Sequence, residues 1–512
     1  RVDGSMRGRW SAGRARIFGE PKTRGRLPPR VLRQGHAIML DDSHAPSAGL
    51  PGPDPSSGPA PVADGPDAVA RIARAHAPAL RPAPARHRLL ALLGPAFVAA
   101  VAYVDPGNVA ANITAGARYG YALVWVLVLA NVMAVLIQYQ SAKLGIVTGR
   151  SLPQLLRSRL GHRSRLAFFA QAELVAVATD LAEVIGGAIA LNLLVGTPLL
   201  VGGCIIGAIS LLLLAVQQRR SQRTFEGLII GLLVIVTIGF VGGLLAAPPD
   251  WGHVAHGLVP RLEGTDSLLV AASMLGATVM PHAIYLHSSL VRDHHGGTGE
   301  QAEPQSRDPA AGAAQAGSRD GVGKRRARIA RLVRATRVDV VWALGLAGMV
   351  NIALLLLAAS ALSGAEGTDT IEGAHAAITA SLGAGVGVVF AVGLLASGLA
   401  STSVGAYAGA EIMDGLLHVR IPILLQRLLT LIPALLILAA GTEPTWALVV
   451  SQVVLSFGIP FALVPLVGLT GSRPVMGRWR DGAALRWTSR GCAALIIALN
   501  LALIWLTLTG RG

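Results

Sequence analysis

The chain has 512 residues, 52% of them hydrophobic and 14% charged, and its mean hydropathy is +0.56. Because soluble domains carry about 25% charged residues, this composition excludes an ordinary soluble protein and indicates an all-α polytopic membrane protein. The net charge of +16 does not indicate a nucleic-acid partner, since much of the basic excess lies in an N-terminal tail and in loops. Cys204 and Cys492 lie in apolar runs, which predicts small core residues rather than a disulfide or a zinc site.

The N-terminal tail differs in composition from the rest of the chain. Residues 1–86 are rich in Arg, Pro, Ala, Gly and Ser and have no apolar periodicity, which predicts disorder. The tail lacks the arrangement of a secretory signal peptide. A membrane domain at 87–512 is predicted to follow. Within it, the low-complexity segment 293–323 predicts a flexible cytoplasmic loop.

Apolar runs near twenty residues in length recur through the membrane domain. Each is long enough to cross the hydrocarbon core of a bilayer as a helix. Eleven transmembrane spans are predicted, centred on 89–113, 121–142, 167–193, 198–216, 227–246, 267–291, 338–361, 379–410, 422–440, 444–468 and 491–509.

The loops between the spans predict their orientation. The loops after spans 2, 4, 6 and 10 are rich in Lys and Arg, whereas those after odd-numbered spans carry only Arg118 and Arg261. Basic loops stay on the cytoplasmic side, so the N-terminus is predicted to be cytoplasmic and the C-terminus to be outside. The basic segment RARIARLVRAT at 326–336 fits either an amphipathic helix on the inner leaflet or a solvated linker.

Span 1 is predicted to be a broken helix. Its apolar run is interrupted by Asp105-Pro106-Gly107-Asn108. Proline removes a helix donor and glycine is a poor helix former, so the helix is expected to break here. A carboxylate inside hydrocarbon is costly unless it faces a partner, a cavity or an ion. The break therefore predicts a cation site at mid-membrane depth.

Span 6 carries a second interruption, GATVMPH at 276–282. The two breaks lie five spans apart, and an odd offset places the two halves in opposite membrane orientations. Paired breaks of this kind indicate a 5+5 inverted repeat with the site between the halves. The first repeat is predicted at about 88–247, the second at about 266–469 and an additional helix 11 at about 490–510.

Four residues at the two breaks are predicted to bind the ion. They offer a carboxylate, an amide oxygen, a freed backbone carbonyl and a thioether, from Asp105, Asn108, Ala277 and Met280. A set of hard oxygens alone would suit Mg²⁺ or Ca²⁺. The thioether favours transition metals such as Mn²⁺, Fe²⁺, Co²⁺ or Cd²⁺. Packing is the ordinary role of Met in an apolar helix, but its position beside the break favours a ligand.

Span 3 contains three carboxylates that predict a proton relay. Glu173, Asp180 and Glu183 are spaced by seven and three residues, which places them near one helical face within the membrane. The chain has no Walker A motif, so it is not expected to hydrolyse ATP. Arg427 in span 9 needs an anion if it is buried, and Asp180 or Glu183 could supply it. Alternatively, Arg427 snorkels to the cytoplasmic interface.

The chain resembles the Nramp family, in particular its bacterial proton-coupled manganese transporters. The resemblance covers roughly residues 88–510, and the combination of DPGN with MPH is its most specific part. Supporting stretches are AGARYGYALVW at 115–125, KLGIVTGR at 143–150, ATDLAEVIGGAIALNLL at 178–194 and SQVVLSFGIPFALVPL at 451–466.

The resemblance implies a LeuT-like fold and import of divalent transition metal, Mn²⁺ foremost, driven by protons. The metal is then the transported substrate, and no fixed cofactor is expected. By matching position, the resemblance supports the four metal ligands and adds Gln452, a glutamine that approaches the metal in some states. It also implicates Asp180 and Glu183 in proton movement, His282 near the site and His287 in the proton path, where histidine titrates near neutral pH.

Two positions depart from the family pattern, and other functions remain to be weighed. Gln426 stands where many members have a second Arg, and Ala283 stands where Asn often follows MPH. An organic-substrate symporter of the same architecture would bind a carboxylate with unwound backbone, which the negative Asp105 disfavours. A passive metal channel is the alternative if the span 3 carboxylates do not couple to transport. No HExxH motif supports a metalloenzyme.

Overall fold

The structure is a computed structural model, which describes residues 94–219, 222–294, 319–364, 367–368, 370–418 and 422–509. The predicted tail at 1–86 and the residues 295–318 of the predicted loop lie outside this described part. Contacts between residues group 82–512 into one unit, which holds every described residue.

The described residues fold into helices joined by short connections. The helices are α1 Pro95–Val101, α2 Pro106–Tyr119, α3 Val124–Thr148, α4 Leu152–Arg157, α5 His162–Val195, α6 Leu199–Arg219, α7 Gln222–Ala246, α8 Trp251–His256, α9 Gly264–Thr278, α10 Pro281–His294, α11 Arg319–Ala361, α12 Ile371–Leu382, α13 Ala384–Leu417, α14 Ile423–Ala439, α15 Pro444–Thr470, α16 Arg473–Met476 and α17 Ala483–Leu508.

The helices confirm the predicted all-α polytopic membrane fold. In the described part of the chain, six helices are long and apolar enough to cross a membrane, counting α9 and α10 together. Shorter apolar helices lie at Pro95–Val104, Leu199–Ala215, Ile230–Leu245 and Leu424–Ala439. These helices cover ten of the eleven predicted spans. The eleventh, 491–509, falls on α17, which is not among them.

The structure interrupts span 1 at Asp105. After α1 the chain forms a short 3₁₀ turn, Ala102–Val104, and Asp105 is extended, with φ −82° and ψ 167°. The carbonyls that this break frees are bound by neighbouring spans. Asn351 in α11 donates to the Tyr103 carbonyl at 2.7 Å, and the Ser397 hydroxyl in α13 donates to the Val104 carbonyl. These bonds remove most of the cost of leaving backbone polar groups unpaired in an apolar environment.

Span 6 is interrupted between α9 and α10. Val279 and Met280 separate the two helices, and Pro281 begins α10, where its missing N–H costs nothing. The Val279 N–H still reaches the Leu275 carbonyl at 2.9 Å. Both breaks therefore have a proline at the first position of the second helix, which is the local reason that each helix restarts there.

Span 7 is longer than the sequence predicts. Helix α11 spans 43 residues from Arg319 to Ala361, so the segment at 326–336 continues span 7. It is neither a separate surface helix nor a linker, because Ile329, Leu332 and Val333 are buried against the rest of the protein. The predicted loop end at 323 is also corrected, since the helix already begins at Arg319.

Buried side chains form a core around span 1. Helices α5 and α13 form the most extensive helix–helix contact among the described residues, and α2 lies against α11. Cys492 is buried as predicted, but Cys204 is exposed. The prediction for Cys204 is wrong because an apolar run in a membrane helix contains lipid-facing positions as well as core positions.

Candidate metal site

Asp105 and Asn108 lie together at the start of α2, directly after the break in span 1. Asp105 is the N-cap of α2, and its Oδ1 accepts the Asn108 backbone N–H at 2.8 Å. The same oxygen accepts the Asn108 side-chain amide at 2.7 Å. Both residues are completely buried. The carboxylate is thereby held at a helix N-terminus, where the backbone dipoles favour negative charge.

The Asn108 amide also connects the two breaks. Its Nδ2 donates to the Ala277 carbonyl at 3.0 Å, which joins α2 to the end of α9. Oxygens around an octahedral ion with bonds near 2.1 Å lie about 3 Å apart, similar to the separations found here. A half-turn of the Asn108 carboxamide would place its oxygen beside the Asp105 and Ala277 oxygens. Three of the predicted ligands therefore converge on one position.

Met280 and Thr278 complete the span 6 side of this position. Met280 lies directly in the break between α9 and α10, completely buried among apolar side chains. The Thr278 Oγ1 lies 3.4 Å from the Asn108 Oδ1. The Thr278 hydroxyl therefore lies near the Asn108 side chain, and Met280 follows it in the break itself.

Gln452 in α15 packs against both interrupted spans. A Cβ at Gly107 would overlap the Gln452 carboxamide, and a Cβ at Gly276 would lie 2.7 Å from the Gln452 carbonyl oxygen. Only glycine at these two positions lets α15 approach so closely. Gln452 donates from its Nε2 to the Ser451 hydroxyl at 3.3 Å. The structure therefore brings the predicted Gln452 next to the DPGN break.

Acceptor atoms without hydrogen-bond donors lie in this region. Asp105 Oδ2 and Gln452 Oε1 are buried without a hydrogen-bond partner. Buried acceptors of this kind are costly unless water, a proton or a cation binds them. Among the described residues, no group of three or more His, Cys, Asp or Glu side chains could hold a metal ion. The predicted ligand set accordingly contains one carboxylate, and its other members are amide, carbonyl and thioether groups.

Two of the three span 3 carboxylates, Asp180 and Glu183, lie beside the guanidinium of Arg427. Arg427 is 1% exposed, which excludes the alternative that it snorkels to the interface. Its Nη1 contacts the Asp180 carboxylate and lies 3.7 Å from the Glu183 Oε2. The Arg427 Nε and Nη2 groups donate to Ser210 at 3.2 Å and to Thr402 at 3.3 Å. Two buried carboxyl groups thus share a single positive charge.

Glu173 lies outside this ion pair. It is partly buried on α5, and its side chain has the Gln426 side chain as a hydrogen-bond partner. Gln426 therefore gives Glu173 a neutral partner where a second arginine would give a charged one. Gly409 provides the space for Gln426, since a Cβ there would lie 2.7 Å from the Gln426 Nε2.

The two predicted histidines have different partners. His282 Nδ1 lies 3.3 Å from the Thr179 hydroxyl in α5, one position before Asp180. His287 Nδ1 donates to Gln138 Oε1 at 2.8 Å, and the Gln138 amide donates to the Tyr103 hydroxyl at 2.6 Å. His282 therefore contacts the span 3 helix. His287 instead belongs to a series of hydrogen bonds that leads through Gln138 to Tyr103, which precedes the break in span 1.

Several buried polar residues were missed by the sequence interpretation. Gln138, Asn351, Thr402 and Ser210 each bind a functional side chain or a freed carbonyl. A signal for Gln138 and Asn351 was present, because an uncharged carboxamide within an apolar span rarely lacks a polar partner. Ser and Thr give no comparable signal, since they also bond within their own helix.

Comparison with known proteins identifies the family of this chain. A model of the natural resistance-associated macrophage protein-like family matches residues 96–506. The chain belongs to the Nramp family. This Nramp protein is 55% identical over 419 residues to the divalent metal cation transporter MntH of Mycobacterium tuberculosis strain H37Rv, covering 82% of this chain and 92% of that relative. It is 43% identical over 421 residues to the MntH of Bacillus subtilis, covering 81% and 92%.

A solved structure of a manganese transporter has a similar fold. A crystal structure of a variant of the Eremococcus coleocola manganese transporter matches with a TM-score of 0.69 at 29% identity. The match covers 82% of this Nramp chain and 87% of that one. The family-model match at residues 96–506 includes both interrupted spans, so the candidate site lies within it.

Proposed function

We propose that this Nramp protein imports divalent transition metal ions, Mn²⁺ foremost and also Fe²⁺, Co²⁺ and Cd²⁺, together with protons by alternating access. Close relatives are named divalent metal cation transporters, and a similar solved structure is that of a manganese transporter. The proposed metal ligands are Asp105, Asn108, Ala277, Met280 and Gln452.

The observation that carries this proposal is the Asn108 amide between the two breaks. It lies within 3.0 Å of oxygens from Asp105 and Ala277, so side chains and backbone from both halves meet at one buried position. A transporter needs its site at such a junction, because relative movement of the halves then opens the site to either side. Because the proposed site contains a single carboxylate, the free-energy cost of burying its charge within the membrane is limited.

The proposed proton path starts at Asp105 and continues through the span 3 cluster. Glu183 and Asp180 together exceed Arg427 by one negative charge, so the buried cluster is neutral when it holds one proton. We propose that metal binding at Asp105 displaces a proton towards Glu183 and Asp180. Glu173 extends the path along α5, while His282 and His287 contribute beside span 6.

The membrane orientation belongs to the same proposal. The N-terminus is cytoplasmic, the C-terminus is extracytoplasmic, and the interrupted spans move against the remaining helices. The proposed units are a basic tail at 1–86, a first repeat at 88–247, a second repeat at 266–469 and helix 11 at 490–510. Reporter fusions at the loops after spans 2 and 3 test the orientation, since they should report opposite sides.

Metal uptake into proteoliposomes tests the site. Vesicles contain a divalent-metal dye, and Mn²⁺ is added outside under an inward proton gradient. Asp105→Ala should abolish uptake because it removes the only proposed anionic ligand. Asp266→Ala is the matched control, since Asp266 is an exposed carboxylate in the first turn of α9. Unchanged uptake by Asp105→Ala would contradict the site assignment.

A second comparison tests the thioether. Met280→Ala should allow Ca²⁺ to compete with Mn²⁺ more strongly, because the remaining oxygen donors suit hard cations. Mn²⁺ uptake itself should decline less. The control Met274→Ala changes a buried methionine one turn before the break. Equal exclusion of Ca²⁺ by the wild type and Met280→Ala would remove the thioether argument.

Proton flux distinguishes the proposal from its alternatives. A pH-sensitive dye inside the vesicles should report acidification with each metal entry, and Asp180→Asn with Glu183→Gln should reduce proton flux more than metal flux. Metal entry without any acidification in the wild type would favour a passive channel. Competition by an organic anion in place of metals would favour an organic-substrate symporter.

A further inference from the structure

One exposed face of α11 carries basic side chains in its first part and apolar side chains in the part that follows. The exposed residues on this face are Arg331, Arg334, Arg337, Val338, Val341, Trp342, Gly345 and Met349. At 3.6 residues per turn they fall within an arc of about 140°. The face is basic up to Arg337 and apolar from Val338, and Trp342 is 71% exposed. We call Arg331, Arg334 and Arg337 the basic stripe.

The opposite face fixes the helix against the protein. Ile329, Leu332 and Val333 are buried in the same cluster as side chains of α3 and α15. On the same side, Asp339 accepts the Gly94 N–H at 3.3 Å and the Ala96 N–H at 3.1 Å. The basic stripe therefore projects from a rigid support and points in the same direction as the lipid-facing residues above it.

The dimensions of the stripe match one layer of a bilayer. From Arg331 to Arg337 the helix rises about 9 Å. A phospholipid headgroup layer is roughly 5–8 Å thick on each side of the hydrocarbon core. Because Val338 begins the apolar part of the same face, the hydrocarbon boundary lies beside Arg337. With the boundary there, Arg334 and Arg337 lie within the headgroup layer and Arg331 lies at its outer edge.

The charges of the stripe are not matched by acidic side chains in the part of the protein that the structure describes. Across the described ranges, the ion pairs involve none of its three arginines. The one bond recorded for them joins Arg334 Nε to the Ala330 carbonyl of its own helix at 3.3 Å. Guanidinium groups bind phosphate oxygens with paired N–H donors, so an anionic group is the complementary partner.

We propose that the basic stripe and the apolar face above it form a binding site for an anionic phospholipid. The headgroup phosphate is bound by Arg331, Arg334 and Arg337, and an acyl chain packs against Val338, Val341 and Trp342. Clusters of basic residues next to a membrane span recognise anionic lipids in this way. The site lies on α11, away from the candidate metal ligands, and does not depend on metal transport.

Fluorescence of Trp342 tests the proposal in vesicles that contain the full chain. The lipids are phosphatidylglycerol or phosphatidylcholine with brominated acyl chains. Bromine on an acyl chain quenches the fluorescence of a tryptophan that contacts it. The Trp342 signal is the difference between the wild type and Trp342→Phe. Each basic residue favours an anionic surface by about five-fold. We expect half-maximal quenching at a mole fraction of brominated phosphatidylglycerol that is lower than that of brominated phosphatidylcholine by a factor of about ten or more.

Matched variants separate a site from general surface charge. Combining Arg331→Gln, Arg334→Gln and Arg337→Gln should reduce the preference to within about two-fold. Removing the same charge with Arg159→Gln, Arg163→Gln and Arg473→Gln, which are exposed elsewhere, should leave the preference unchanged.

Three results would overturn the proposal. The first is equal quenching of wild-type Trp342 by both lipids. The second is an equal loss of preference in the control and in the stripe variant. The third is a preference that emerges only after residues 295–318 are deleted, which would show that this segment of the chain occupies the stripe.

Discussion

Arg427 provides a direct test of the buried charge cluster. Its guanidinium is 1% exposed and neutralises Asp180 while lying 3.7 Å from Glu183. Arg427→Met retains an unbranched side chain but leaves both carboxyl groups without a counter-charge. Breaking a buried ion pair by removing one partner costs about 3–5 kcal/mol. The lost bonds to Ser210 and Thr402 add about 1 kcal/mol each.

Together, the broken ion pair and the two lost hydrogen bonds give an expected loss of about 5–7 kcal/mol in the free energy of unfolding. Unfolding by SDS in mixed micelles, followed by circular dichroism, measures this loss. A double-mutant cycle with Asp180→Asn should give a coupling energy of about 2–3 kcal/mol. Arg292→Met is the control, since Arg292 pairs with Asp293 and Glu411 at a partly exposed position and should cost under about 1 kcal/mol. A loss below about 1 kcal/mol for Arg427→Met would refute this reasoning.

Three further changes test the elements around the site. Asp339→Ala should cost about 0.5–2 kcal/mol in the same unfolding assay, and Asp339→Asn less, because one acceptor oxygen remains; equal losses would contradict capping of α1. Asn351→Ala should cost about 1–3 kcal/mol, since the buried Tyr103 carbonyl loses its donor; a neutral result would contradict that role. Gly107→Ala should cost about 1–3 kcal/mol in the same unfolding assay, because its Cβ would overlap the Gln452 carboxamide. The double variant Gly107→Ala/Gln452→Ala should recover this loss, and no recovery would contradict overlap as the cause.

The breaks were predictable because their causes are local. Pro106 and Pro281 cannot donate to the preceding turn, whatever surrounds them, so the sequence alone locates both restarts. Asp105 also has a local role, since it caps the helix that Pro106 begins. The membrane class was equally accessible, because composition and the length of apolar runs determine it.

The partners of the polar residues were less accessible. The sequence offered Asp180 or Glu183 as the anion for Arg427 and left snorkelling open, and the structure shows a buried guanidinium between both carboxyl groups. Gln138 and Asn351 were not singled out, although both bind residues at the functional helices. Pairings across helices depend on how the helices rotate and cross, which periodicity within one span does not specify.

The sequence by itself determined the membrane class, the two helix breaks and the chemical types of the candidate ligands, because these depend on hydrophobicity, on proline and on side-chain chemistry. Only the tertiary structure decided that the Asn108 amide joins Asp105 to Ala277, that Gln452 fits against Gly107, and that span 7 continues down to Arg319. These features arise from close packing between helices distant in sequence, where the space left by a glycine or a buried face determines which groups meet.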